Sequence, residues 1–391
     1  MKKLIKDILS QEVINNFYHL PKAILANIIY GFPTRGLTVI GVTGTDGKTT
    51  TVNMIYQILL AAGKKVSVVS TINAPGFHIT SPDSFAVQRF ARQAASSGDE
   101  YLVLEVTSHA LDQYRYWGIK FDIGVITNIT HEHLDYHKTF DNYLKTKLKL
   151  IRNVRFAVVN QNIKDVSSEG KIITFGLDKG DFNQEQIKLK LKVPGDYNIE
   201  NALTSLAVAF ALGIDKKIAQ DALESFTGIK GRMEEVQNNK DIKIIIDFAH
   251  TPGGLEQALK ALRCQMRSGR LIAVIGAEGD RDIEKRFMMG EIAQRFANYV
   301  IVTAVDPRGY LDIINRQIAD GATKAGAKRD QNFFVIDDRE KAFDFAINKL
   351  SKYGDTVGIF GKGHETSMNL DGKREIPWSD LEAVRNVLAS S

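Results

Sequence analysis

Thr43-Gly44-Thr45-Asp46-Gly47-Lys48-Thr49-Thr50 follows directly on the apolar run Leu37-Thr38-Val39-Ile40. A short strand, a glycine-rich turn and a helix start make a phosphate cradle. The glycines let backbone N–H groups converge on phosphate oxygens, and the helix N-terminus adds partial positive charge. In such a turn Lys48 reaches the β- and γ-phosphates and Thr49 holds Mg²⁺. The strict pattern has Gly where this chain has Val42, so the match is to a variant P-loop.

Further chemistry sits at other strand ends. Glu105 closes Tyr101–Leu104, just ahead of Thr107, Ser108 and His109, where a carboxylate can take Mg²⁺ beside a nucleotide. Asn128 ends the next strand, and His131-Glu132-His133-Leu134-Asp135 follows it with several candidate ligands. Lys147 shares a helical stripe with Phe140, Tyr143, Leu144, Leu148 and Ile151, whereas Lys145 and Lys149 point elsewhere. An inward lysine either snorkels or shifts its pKa. Arg232, in Gly231-Arg232-Met233-Glu234, suits a phosphate, and Asp247, in Asp247-Phe248-Ala249-His250-Thr251-Pro252, suits a ribose. Gly276–Gly279 with Asp280-Arg281-Asp282, then Asp306-Pro307-Arg308 and Gly361-Lys362-Gly363-His364-Glu365, also follow strands. In open parallel sheets that edge is where ligands bind.

These residues need sheets to carry them. Strands are expected at Leu37–Ile40, Lys65–Val69, Tyr101–Val106 and Ile123–Asn128, with helices at Thr50–Ala62 and Ser84–Ser96 between the first three. Residues 152–193 read differently, as short strands such as Phe156–Val159 and Ile172–Phe175 separated by polar turns, before a helix at Asn198–Leu212. A break near Thr227–Arg232 opens a second series, with strands at Ile242–Asp247, Leu271–Ile275, Tyr299–Thr303, Phe333–Ile336 and Thr356–Phe360. The expected fold is α/β: a P-loop parallel-sheet ATPase domain, then a Rossmann-like doubly wound C-terminal domain. The boundaries read 1–36 for a short helical segment, 37–228 for the ATP-binding domain and 229–391 for the C-terminal domain. In the first segment Leu20, Ile24, Leu25, Ile28 and Ile29 recur at helical spacing and are expected to pack on the next domain.

Bulk properties narrow the class. At 391 residues, two or three domains are expected. A net charge of +5 with dispersed basic residues argues against nucleic-acid binding. Cys264 is the single cysteine, which excludes an intramolecular disulfide framework and fits a reducing, cytoplasmic setting. The N-terminus lacks the apolar core of a signal peptide, and no apolar run is long enough to span a membrane.

Taken together the motifs resemble the Mur ligase family, and within it the MurE type, over about residues 37–391. The resemblance rests on the Gly44–Thr50 turn, Glu105–Leu111, Thr127–His137, Gly195–Asn198 with Asn201, Gly231–Glu234, Asp247–Pro252, Gly279–Asp282 with Lys285-Arg286, and Gly361–Glu365. It implies ATP-dependent amide ligation of an amino acid to a muramoyl-peptide acceptor through an acyl phosphate, in peptidoglycan precursor synthesis. It also implies roles. Lys48, Thr49 and Glu105 would serve ATP and a first Mg²⁺. His133 would ligate a second Mg²⁺, with Lys147 carbamylated as an anionic partner. Asn128 belongs to the nucleotide site, Asn201 would touch adenine, Arg232 a phosphate and Asp247 the ribose. Thr80, Ser81, Thr107, Gln113 and Arg115 match positions holding the acceptor. Asp306, Arg308, Gly361 and Glu365 match positions at the incoming amino acid, with Arg308 on its carboxylate and Glu365 on its amine. Closure of the C-terminal domain would keep water from the acyl phosphate.

Two departures stand out. Only 36 residues precede the first strand, too few for the family's N-terminal UDP-binding domain. A shorter acceptor, or a partner that supplies UDP recognition to an otherwise monomeric enzyme, is therefore expected. Diaminopimelate-adding members carry Asp-Asn-Pro-Arg where this chain has Val305-Asp306-Pro307-Arg308. An alternative keeps the chemistry on a non-UDP acceptor, as in folylpolyglutamate- or cyanophycin-type ligases. Thr80-Ser81-Pro82 and Gln113/Arg115 favour the muramoyl peptide. A nucleotide-dependent scaffold without ligase activity is disfavoured because Lys48, Glu105, His133, Lys147 and Arg232 are all present.

Overall fold

The computed structural model describes residues 10–71, 82–130, 132–279 and 283–390. The chain forms two compact units. The first holds most of the chain up to Phe226. The second runs from Thr227 onward and takes in Glu132–Tyr136 and Val193–Asp196.

The first unit is built on a seven-stranded sheet. Its strands are β1 (Thr38–Thr43), β2 (Val66–Val69), β3 (Tyr101–Glu105), β4 (Ile123–Ile126), β5 (Phe156–Asn160), β6 (Lys171–Gly176) and β7 (Phe182–Asn183), in the order β2-β3-β1-β4-β5-β6-β7. Every pairing is parallel. β1 lies between β3 and β4, so its carboxyl end is flanked by Glu105 on one side and Thr127 on the other. Four of its residues, Val39, Ile40, Val42 and Thr43, are wholly buried, as expected for a strand covered on both faces.

Residues 152–193 form short strands joined by turns, as expected, and they extend the same parallel sheet as β5–β7. Their strands sit toward its edge, where partly exposed residues such as Lys171 and Ile172 blur the apolar signal. The N-terminal helix Leu20–Tyr30 packs through Ala23, Ala26 and Asn27, whereas Leu25, Ile28 and Ile29 are more than half exposed. Small residues permit close approach to the helix Ser84–Ser96. The contact is pinned by Lys22 to Asp83 at 2.7 Å and by Asn27 to the Trp117 carbonyl at 2.6 Å. A larger side chain always scores higher on an apolar stripe, so the true packing face was hidden by its own smallness.

The second unit is built on a six-stranded sheet. Its strands are β8 (Glu234–Glu235), β9 (Lys243–Asp247), β10 (Leu271–Ile275), β11 (Tyr299–Val302), β12 (Phe333–Val335) and β13 (Thr356–Phe360), in the order β12-β11-β10-β13-β9-β8. All pairings are parallel except β8 with β9. Apolar clusters cover both faces, one around Leu255, Leu259, Met289 and Ile318, the other around Ile244, Ile301, Phe343 and Val384.

One buried ion pair ties two strand ends together. Arg339 grips Asp380 bidentately at 2.8 and 2.7 Å, and both side chains are essentially inaccessible. The same guanidinium donates to the carbonyls of Ala304, just past the end of β11, and Phe360, the last residue of β13. With its remaining donors satisfied, such a pair holds backbone geometry more than it adds net stability. Here it anchors the two loops that begin at Val305 and Gly361.

Candidate functional site

In the first unit the phosphate cradle is assembled as expected. Gly47 takes a left-handed conformation (φ +80°) and precedes the helix Lys48–Ala61, whose first turn has no side-chain cap. Its orphan N–H groups are thus left for an anion. Gly47 also abuts Asn201: a Cβ there would lie 2.4 Å from the Asn201 Oδ1. That oxygen accepts a hydrogen bond from the Thr51 hydroxyl at 3.2 Å. Asn201 therefore braces the loop from beneath.

The segment after β4 braces it from the other side. Asn128 Oδ1 accepts from the Asp46 amide at 2.9 Å, and its Nδ2 donates to the Asp46 carbonyl at 3.1 Å. Thr127 Oγ1 also donates to the Asp46 carbonyl, at 2.7 Å. Thr45 N donates to the Asn128 carbonyl, and Thr45 Oγ1 accepts from the Thr130 amide. Asn128 thus acts on the nucleotide site through the shape of the turn. The Lys48 ammonium folds onto the loop, donating to the carbonyls of Thr45 (2.7 Å) and Gly44 (3.1 Å).

Thr49 and Glu105 meet. The Thr49 hydroxyl donates to Glu105 Oε1 at 3.0 Å, and both residues are buried. Glu105 Oε2 accepts from the Thr71 amide and hydroxyl at 2.9 and 3.0 Å. A buried carboxylate beside hydroxyl oxygens is a donor set for a hard cation, so the residues fit Mg²⁺. The Tyr116 hydroxyl donates to the Glu105 carbonyl at 2.9 Å and fixes the strand end.

Lys147 is buried, as the stripe predicts, while Lys145 and Lys149 are exposed. The stripe itself is shifted: Tyr143, Thr146, Lys147, Leu150 and Ile151 face inward, whereas Phe140 is 42 % exposed. Phe140 opens the helix, one residue after the Thr139 cap, where the chain has not yet turned onto the core. The Lys147 Nζ donates to the Gly44 carbonyl at 2.5 Å and stands 4.6 Å from the Tyr143 ring. Tyr143 in turn hydrogen-bonds Thr45 through its hydroxyl at 3.0 Å. Lys147 and Lys48 therefore share one carbonyl oxygen, a convergence that no local motif reveals.

Thr107 caps the short helix Ser108–Asp112. Gln113 accepts from Arg115 Nε and Nη2 at 3.0 and 2.7 Å, so the two expected acceptor contacts form one planar group. Thr80 and Ser81 lie outside the described residues.

In the second unit the strand-end loops interlock. His133, in a left-handed conformation, lies 3.9 Å from Glu132, which pairs with buried Lys285 at 3.6 Å. Asp247 orders backbone: Oδ2 accepts from Met233 N at 2.8 Å and Oδ1 from Ala249 N at 2.7 Å. It thereby fixes the loop carrying Arg232, whose guanidinium lies 4.4 Å over the Phe248 ring. Gly363 (φ +54°) packs on the same loop, where a Cβ would lie 2.6 Å from the Gly231 carbonyl oxygen. His364 packs at a tilt against Phe248, and burial, with the nearby charges of Arg232, Lys362 and Lys230, drops its pKa to about 3. It is a neutral imidazole at working pH.

Asp306 and Arg308 both adopt left-handed backbone (φ +45° and +50°). The strain is held by pairing to the 369–370 segment: Arg308 N donates to the Asn369 carbonyl, Gly309 N to that of Leu370, and Asn369 N to Asp306 Oδ1. Asp306 Oδ2 pairs with Lys362 Nζ at 3.0 Å, and Lys362 pairs with Glu365 at 2.6 Å. The Asp306 carboxylate is thus committed within the protein. Arg308 Nε is buried and makes no hydrogen bond among the described residues.

Comparison with known proteins follows the same division. A model described as the Mur ligase middle domain matches residues 42–209, and one described as the Mur ligase, glutamate ligase domain matches residues 231–363. A UDP-N-acetylmuramoyl-L-alanyl-D-glutamate–2,6-diaminopimelate ligase of Caldanaerobacter subterraneus subsp. tengcongensis is 36 % identical over 402 residues, covering 94 % of this chain and 81 % of the relative. The chain belongs to the Mur ligase family. Its class is that of the ATP-dependent acid–amino-acid ligases. A solved structure of a ligase with the same name as the Caldanaerobacter relative superposes with a TM-score of 0.60 at 29 % identity, over 91 % of this chain and 79 % of that one. An E. coli FolC in complex with DHPP and ADP gives 0.67 at 20 % identity over 87 % and 89 %, a likeness of fold alone. Among the described residues no helix is long and apolar enough to cross a membrane.

Proposed function

We propose that the chain joins an amino acid to the terminal carboxylate of a muramoyl peptide, with ATP as the energy source. The observation that carries the reading is the pairing of Thr49 with Glu105 at the mouth of a braced P-loop, within a chain 36 % identical to a diaminopimelate-adding ligase. The acceptor carboxylate attacks the γ-phosphorus of ATP, giving an acyl phosphate and ADP. The amine of the amino acid then attacks the acyl carbon, loses a proton and releases phosphate.

Within the first unit, the loop amides and Lys48 bind and neutralise the phosphates. Thr49 and Glu105 would hold one Mg²⁺, and His133 with a carbamylated Lys147 a second. Bound Mg²⁺ neutralises charge on the transferring phosphoryl group. Asn201 and Asp247 would reach the nucleoside and Arg232 a phosphate. Thr107, Gln113 and Arg115, with Thr80 and Ser81, would seat the acceptor. Within the second unit, Arg308 grips the carboxylate of the amino acid and Glu365, with Gly361 beside it, the amine.

The test is phosphate release from ATP with Mg²⁺, crossing a panel of amino acids with UDP-muramoyl-dipeptide and with the same dipeptide lacking UDP. Turnover with either acceptor supports the reading. Turnover only without UDP assigns UDP recognition to a partner or removes it. Silence with both, but turnover with a pteroate or polypeptide acceptor, would favour the folylpolyglutamate- or cyanophycin-type alternative.

Glu365 gives this reading a pH signature. Burial pushes its carboxyl up to about 7, with Glu278 and Asp306 adding repulsion and Lys362 opposing. Below that pH the carboxyl is protonated and cannot hold an ammonium. The expected kcat/KM for the amino acid therefore rises about tenfold per pH unit up to about 7 and then levels, because this ratio reports groups of the free enzyme. Glu365→Gln removes the rise. The same raised pKa favours the fold at low pH: this contribution is complete below about 4.5 and fades as pH rises through about 7.

A further inference from the structure

We propose that Lys362 is the positioning residue for amino-acid recognition: its buried ammonium bridges the loop carrying Arg308 to the loop carrying Glu365, so that both groups face one ligand. The inference deepens the reading above and rests on it.

Lys362 is about 1 % exposed, an unusual place for an ammonium. It stays charged because two carboxylates surround it, Asp306 at 3.0 Å and Glu365 at 2.6 Å. These come from different strand ends, beyond β11 and β13. Asp306 is also the residue whose other oxygen captures the Asn369 amide, and this contact holds the left-handed turn that presents Arg308. Glu365 is turned back on the same loop, its amide donating to the Lys362 carbonyl at 3.0 Å. One cation thus sets the conformation of the carboxylate-gripping loop and the charge of the amine-gripping side chain. Without it, buried Asp306 and partly buried Glu365 are two carboxylates with no counter-ion between them. One must then take up a proton or move. Lys362, Glu278 and Asp306 all act on the charge of Glu365.

The experiment measures KM for each substrate and the pH profile of kcat/KM in Lys362→Met and Asp306→Asn, both near in shape to the natural residue. The amino acid is 2,6-diaminopimelate or L-lysine, whichever gives turnover. Lys362→Met is expected to raise its KM at least tenfold, leave KM for ATP within twofold, and move the pH limb to higher pH. Asp306→Asn removes a negative neighbour and leaves Lys362 wholly to Glu365, so the limb moves to lower pH. A purely structural role does not shift the limb in opposite directions. An unchanged amino-acid KM, an equal loss toward all substrates, or shifts of the same sign would overturn the proposal. If Lys362→Met does not fold, the acid shift in Asp306→Asn decides alone. Arg308→Ala and Glu365→Gln separate the two levels. If they raise the amino-acid KM while the Lys362 and Asp306 variants behave as wild type, only this inference fails. If none does, the assignment of the amino-acid site fails with it.

Discussion

Lys147→Ala is expected to lower kcat by about 10²–10⁴, in the range seen when one charge stabiliser is removed from a phosphoryl-transfer site, and short carboxylates are expected to restore part of it. The side chain is buried, and its nitrogen rests on the Gly44 carbonyl, within the turn that cradles the phosphates. Lys48 donates to that same oxygen. Carbamylation attaches CO₂ to the neutral amine, forming one N–C bond and releasing one proton. It turns one of two neighbouring cations into an anion, so repulsion between them becomes attraction, and it supplies an oxygen ligand for a hard cation. Formate or acetate added to Lys147→Ala would occupy the vacated anion position. Lys147→Arg separates this from a cationic role, because arginine keeps the charge but does not form the carbamate. Activity in Lys147→Arg comparable to wild type would sink the carbamate proposal. Lys145→Ala, on the exposed side of the same helix, serves as the control and is expected to leave kcat unchanged.

What the sequence makes legible here depends on range. The P-loop and the β1–β4 strands are readable because their signals are local: glycine at fixed offsets, then alternating apolar runs and helices. Inward Lys147 is readable for the same reason, since a helical face is a matter of spacing over a few turns. The bracing of that loop is not. Asn201 lies some 150 residues from Thr51, and Asp306 some 56 from Lys362. No spacing rule reaches across such intervals. Asp247 illustrates the limit. Its place at a strand end signals a ligand site, but not the second duty the fold gives it: both its oxygens accept backbone amides and order the Arg232 loop. Asp306, which the resemblance puts at the amino acid, also pairs with Lys362 and accepts from the Asn369 amide. Lys362 sits in a glycine-flanked loop after a strand, a setting that by itself carries no role. Only the two carboxylates folded around it make it central.

Arg308→Ala is expected to lower kcat/KM for the amino acid by about 10²–10³, about 3–4 kcal/mol, the cost of losing a desolvated charge-assisted contact. One nitrogen of the guanidinium is left unsatisfied, while its charge is felt by Glu375. Its Nε is buried and makes no hydrogen bond among the described residues, although such donors are almost always satisfied. The strained backbone that carries it is held by three hydrogen bonds to the 369–370 segment and by the Lys362–Asp306 pair. Gly279 allows the loop to close, since a Cβ there would lie 2.4 Å from the Pro307 carbonyl. A planar fork held this way suits bidentate capture of a carboxylate, which Arg308→Lys would not reproduce. Which carboxylate it takes can be read from two amino acids. If Arg308 holds the carboxylate beside the reacting amine, Arg308→Ala weakens 2,6-diaminopimelate and L-lysine alike. If it holds the distal carboxylate, diaminopimelate loses its advantage and lysine is unaffected. With Val305 where diaminopimelate-adding members carry a carboxylate, and with Asp306 bound to Lys362, Arg308 is the group left on that loop to make the distinction. Equal kcat/KM in wild type and Arg308→Ala for both amino acids would remove it from the site.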